Sequence, residues 1–88
     1  MNNEKLENLW QELKTERDEL RVQMHLAKAE LRDEWEELEE QYAAAQKKFD
    51  DVKKGTGEMA SEAKTAMSII VDEISTAYQR VKLRLRQQ

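Results

Sequence analysis

The chain has 88 residues, enough for one domain and too few for two. Charged residues make up 39% of it and hydrophobic residues another 39%, with two glycines, no proline, no cysteine, a net charge of −4 and a mean hydropathy of −0.98. This composition excludes a disulfide framework, a zinc–thiolate centre and a thiol nucleophile, and an acidic chain gains nothing from phosphate backbones, so nucleic acid is not an expected partner. No apolar run approaches the ~18 residues of a membrane span, and Ile69-Ile70-Val71 is the longest stretch of branched aliphatics. Met1-Asn2-Asn3-Glu4 lacks the basic and apolar regions of a signal peptide, so the expected location is cytoplasmic.

Ala, Glu, Lys, Leu, Arg and Gln dominate, and all of them lose little side-chain freedom in a helix. So polar a composition would also suit a disordered chain; apolar periodicity decides for helix. Asn3 can cap a first helix, predicted over about 4–53. Its apolar stripe runs Leu6, Leu9, Leu13, Leu20, Met24, Ala27, Leu31, Trp35, Leu38, Tyr42, Ala45, Phe49, Val52, with Trp10 on the flank and Arg17 as the one interruption. Spacings of 3-4-4 mixed among 3-4 predict weak supercoiling. Gly55 and Gly57, bracketing Thr56, form the only breaker signal. Lys53 and Lys54 suit a helix C-terminus, Gly55 the left-handed position after it, and Thr56 the cap of the next helix. The turn is therefore placed at 54–57 and a second helix at about 58–86. That helix carries Met59, Ala60, Ala63, Met67, Ile70, Val71, Ile74, Ala77, Tyr78, Val81 and Leu85 on one face.

The fold class expected is all-α: a single coiled-coil-like domain, 1–88, built as an antiparallel two-helix hairpin with a long first helix and a shorter second. Folding about Thr56 pairs residues whose numbers sum to 112. Phe49 then faces Ala63, Ala45 faces Met67, Tyr42 faces Ile70, Leu38 faces Ile74, Trp35 faces Ala77, Leu31 faces Val81, Ala27 faces Leu85 and Val52 faces Ala60. Large residues repeatedly meet small ones, as a filled seam requires.

Under that register the second helix ends opposite Met24, and residues 4–23 have no partner in the chain. Leu6, Leu9, Trp10, Leu13 and Leu20 are thus the candidate self-association interface, since burying each is worth ~1.5–3 kcal/mol. Antiparallel pairing of two such segments would put Leu13 against Leu13 in a two-fold rod, with Glu4 and Glu7 near Arg84 and Arg86 of the other copy. A compact four-helix dimer is the alternative, and an unidentified protein is the other candidate partner.

No reactive site is expected. His25 is the sole histidine and stands alone, because Val22 occupies the position where a Glu-x-x-His pair would need its acid. The acidic run from Glu30 to Glu40 reads as a solvated face, partly answered by Arg80 and Lys82 across the hairpin. The basic residues Arg80, Lys82, Arg84 and Arg86 favour the C-terminal dipole. Gly55-Thr56-Gly57 follows no strand and is no phosphate loop. Val22, Leu26, Ile69 and Leu83 point away from the seam. The chain is read as a non-enzyme without cofactor or metal, because a two-helix rod builds no water-excluding pocket.

The segment Arg17-Asp18-Glu19-Leu20-Arg21-Val22-Gln23-Met24-His25-Leu26-Ala27-Lys28-Ala29-Glu30, followed by Asp33-Glu34-Trp35-Glu36, resembles small bacterial coiled-coil proteins, mostly hypothetical, related to a cyanobacterial stress-responsive protein. The similarity extends weakly through the glycine turn to Ile74 and Tyr78. The resemblance implies a bacterial cytoplasmic helical protein with a link to stress, and brings no catalytic residues with it. The expected function is that of a self-associating structural or interaction protein. The alternatives are a peripheral lipid-surface binder, in which the amphipathic helices open onto a membrane, and a stress holdase that grips unfolded chains with its N-terminal leucines.

Overall fold

The computed structural model describes residues 3–54 and 59–87. Within them the chain is all-α: α1 spans Asn3–Gln23, a single 3₁₀ turn covers Met24–Leu26, α2 spans Ala29–Lys54 and α3 spans Met59–Gln87. There are three long helices where two are expected. Helix 1 of the sequence reading is interrupted at Ala27, whose extended backbone (φ −82°, ψ 148°) ends the 3₁₀ turn and lets α1 fold back.

The side-chain contacts give the topology. Glu7 meets Lys53 and Arg17 meets Glu39, so α1 runs antiparallel to α2. Trp35 lies against Tyr78 and Arg84 reaches Glu34, so α3 also runs antiparallel to α2. Gln79 donates to Glu16, which places α1 parallel to α3. The result is an up-down-up bundle measuring 47 × 19 × 17 Å. At 1.5 Å per residue the 29 residues of α3 account for nearly all of the long axis.

Buried residues follow a strict 4-3 alternation in α2 and α3, and in α1 the same alternation with half-buried Arg17 at one position. In α1 the series is Leu6, Trp10, Leu13 and Leu20; in α2 it is Leu31, Trp35, Leu38, Tyr42, Ala45, Phe49 and Val52; in α3 it is Met67, Val71, Ile74, Tyr78 and Val81. Two details of the expected stripes change for one reason. Trp10, placed on the flank, is in the core, while Leu9 is half-buried; and Val71 and Tyr78 lie deeper than Ile70 and Ala77. A helix in a hairpin faces one neighbour, whereas here each faces two, so the centre of each stripe rotates toward the middle of the bundle. The α2–α3 seam otherwise keeps close to the expected register, with Trp35 and Tyr78 ring centroids 5.6 Å apart. The cap roles given to Gly55 and Thr56, and the pairing of Val52 with Ala60, lie outside the described residues and side chains.

Burial explains the break. Leu6, Trp10, Leu13 and Leu20 are between 1% and 4% exposed, each worth ~1.5–3 kcal/mol once removed from water. Interrupting a helix removes about four intrahelical backbone hydrogen bonds, each worth ~1 kcal/mol net. Some of that loss is recovered. The Ala27 N–H and the Arg32 Nε both donate to the Met24 carbonyl, at 3.1 and 3.4 Å, and Arg32 Nη2 donates to the His25 carbonyl at 3.1 Å. The Lys28 carbonyl accepts from Leu31 and Arg32, which starts α2. The premise that residues 4–23 have no partner inside the chain is therefore overturned.

Candidate functional site

The five residues assigned to self-association are all packed inside one chain. Leu6, Trp10, Leu13 and Leu20 are buried and Leu9 lies half-buried against the same core. Together they form the face by which α1 seats in the groove between α2 and α3. Trp10 is the principal anchor: its ring stacks on Tyr42 and on Phe49, each at 5.0 Å between centroids and within 16° of parallel. Anchors recurring at four and three residues are how an amphipathic helix docks into an apolar groove.

Arg17, the one interruption in the apolar stripe, takes the next position along that face. Its Nε donates to Glu39 Oε1 at 2.8 Å and its Nη2 to Glu39 Oε2 at 2.7 Å, a two-pronged pair that fixes both planes. Its guanidinium also lies 4.5 Å from the centre of the Tyr42 ring. The hydrogen bonds to Glu39 hold Arg17 protonated beyond its ordinary range, against the opposing effect of burial. Burial raises the Tyr42 phenol, with Arg17 pulling it back. Tyr78 is fully buried, its hydroxyl has no hydrogen-bond partner among the described residues, and its phenol is pushed well up, first by burial and then by Glu39. A two-pronged ion pair beside a buried phenol makes a specific joint between helices.

The remaining candidates stay apart. His25 is exposed and its ring Nδ1 donates to the Val22 carbonyl. Among the described residues no group of three or more His, Asp or Glu could hold a metal ion, and no described helix is long and apolar enough to cross a membrane. Glu34 of the acidic run meets Arg84, one turn beyond the Arg80 and Lys82 expected to answer it. Glu7 pairs with Lys53 of its own chain at 3.6 Å, in place of an arginine of a second copy. Val22, Leu26, Ile69 and Leu83 point outward as expected, at 68%, 67%, 54% and 53% exposure. Open surface grooves flank α3: one of about 600 Å³ beside Leu38, Ala77 and Val81, and one of about 530 Å³ beside Leu20, Leu26 and Leu85. Both are shallow and rimmed by charge.

Two residues that matter here escaped the sequence reading. Arg32 is a single base within the run from Glu30 to Glu40, and its reach to two carbonyls depends on the break. Glu39 lies 22 residues from Arg17, so only the fold-back joins them; a lone arginine within an apolar stripe was the available signal. Set against known protein families, curated proteins and solved structures, the chain matches none.

Proposed function

We propose that the chain is a non-enzymatic helical interaction protein, and that its partner is a second copy of itself. The observation that supports this reading is the seat of α1. A hairpin of two helices receives a third through a short series of anchors, Leu6, Trp10, Leu13, Arg17 and Leu20. That is the helix-in-groove mode of protein–protein recognition, used here within one chain. The groove accepts an amphipathic helix of this sequence, and a second copy carries the same helix. Catalysis has no comparable support, since the half-buried Arg17–Glu39 pair is engaged by its own partners among the described residues.

Light scattering on the wild-type chain across a concentration series tests the reading. A dimer population that grows with concentration is expected. A monomer persisting at high micromolar concentration overturns it.

A further inference from the structure

The connection between α1 and α2 carries no helix-breaking residue. Residues 21–31 read Arg-Val-Gln-Met-His-Leu-Ala-Lys-Ala-Glu-Leu, with no glycine, no proline and mostly strong helix formers. The apolar stripe passes through them in helical phase, as Leu20, Met24, Ala27 and Leu31, all buried. Nothing local requires the chain to bend at Ala27; folding back onto its own hairpin is what bends it. Facing residues of α1 and α2 supply a second observation. Glu7–Lys53, Trp10–Phe49, Trp10–Tyr42 and Arg17–Glu39 have numbers that sum to between 52 and 60, so the centre of that antiparallel pairing falls at residues 26–30, at the break and the start of α2. A two-fold axis through the same point would give two copies the same contacts.

We propose that two copies exchange α1 by straightening the 24–28 break, so that α1 of each chain seats in the α2–α3 groove of the other. This rests on the self-association reading and specifies its geometry. Residues 3–54 then form one helix of about 78 Å at 1.5 Å per residue, and two such helices lie antiparallel with an α3 on each half. Every anchor contact re-forms between chains: Trp10 stacks on the partner's Tyr42 and Phe49, and Arg17 pairs with the partner's Glu39. The interface is new only near the axis, where Ala27, the small residue of the buried stripe there, lets the two backbones approach. Exchange of an identical element is a low-cost route to a dimer because the closed and exchanged forms share their contacts. Arg32 opposes it, since its bonds to the Met24 and His25 carbonyls exist only while the helix is broken.

The chain has no cysteine of its own, so a Glu7→Cys/Lys53→Cys pair can report which chain each α1 serves. Monomer and dimer fractions of the full-length double variant are separated, joined with a short bis-maleimide and run on a denaturing gel. Exchange gives covalent dimers from the dimer fraction and internally linked monomers from the monomer fraction. A dimer fraction that links only within each chain overturns exchange and leaves self-association standing. Absence of any dimer overturns both. Ala29→Pro supplies an independent check. Proline is accommodated at the first position of α2 in the closed form, but in the interior of a straight helix it lowers the population by about 100-fold. The dimer should disappear while monomer helicity is kept; a dimer that survives the proline overturns the straightened break. Arg32→Ala should shift the balance the other way, raising the dimer fraction several-fold.

Discussion

The contact between α1 and α2 is built differently from the contact between α2 and α3. Trp10 between Tyr42 and Phe49, the Arg17–Glu39 pair and the Lys53–Glu7 pair join α1 to α2. Aliphatics dominate the other seam, with Leu31, Leu38, Val71, Ile74 and Val81 spread along it, one aromatic pair, Trp35 with Tyr78, and one ion pair at the rim. Stabilisation across the α1–α2 seam is thus concentrated in a few anchors, whereas that of the α2–α3 seam is distributed over many contacts of similar size. A concentrated contact is specific and can be undone at one position. A distributed contact tolerates single losses.

The largest effect that could break this contrast is at Trp10. Trp10→Ala should cost ~3–5 kcal/mol, the range for removing a buried large aromatic, and should release α1 while the hairpin persists. Hydrogen exchange would then show lost protection in residues 3–23 and retained protection in α2 and α3. If protection falls uniformly instead, the three helices form one cooperative unit and the distinction is false.

Arg17 comes next. Arg17→Ala strands a partly buried Glu39 and should cost ~1–3 kcal/mol in urea unfolding, less than for a fully buried pair because both side chains keep some water. The double change Arg17→Leu/Glu39→Leu should return most of that loss, because apolar packing replaces the pair. Failure of the double variant to recover would mean that the pair sets the register of α1 as well as its affinity.

The smallest effect at neutral pH belongs to the hairpin side of the core. Tyr78→Phe removes a hydroxyl without a partner among the described residues and keeps the ring against Trp35, so stability should change by less than ~1 kcal/mol. Alkaline behaviour separates the two proteins. The folded phenol of Tyr78 is raised above the ordinary value near 10. Its contribution is complete below pH ~10, where both states hold the proton, and is lost as pH climbs past 10 and the unfolded phenol ionises first. Thermal melts between pH 9 and 12 should show a shallower decline for Tyr78→Phe than for wild type.

Much of the hairpin was legible in the sequence because its signals are local. Gly55 and Gly57 interrupt the helical pattern of the sequence between α2 and α3, and the apolar faces of those helices match along their length. Residues 24–28 carry no such mark. Helix-forming residues there continue an unbroken stripe, so local propensity favours one long helix, and only the burial of Leu6, Trp10, Leu13 and Leu20 against a distant groove favours the bend. The five apolar residues were legible as needing cover; that the cover comes from the same chain depends on contacts 22 to 63 residues apart.

The order of the helices also has a consequence in time. A chain grows from its N-terminus, so α1 is made first, while the part of its groove formed by Tyr78 and Val81 arrives more than 50 residues later. At ~5–20 residues per second this leaves several seconds in which Leu6, Trp10, Leu13 and Leu20 have no complete seat. Chains growing side by side on one message offer each other finished hairpins during that interval. Protein refolded from denaturant at high dilution has all of its own helices at once and few neighbours, so freshly synthesised material should contain more dimer than refolded material at equal final concentration.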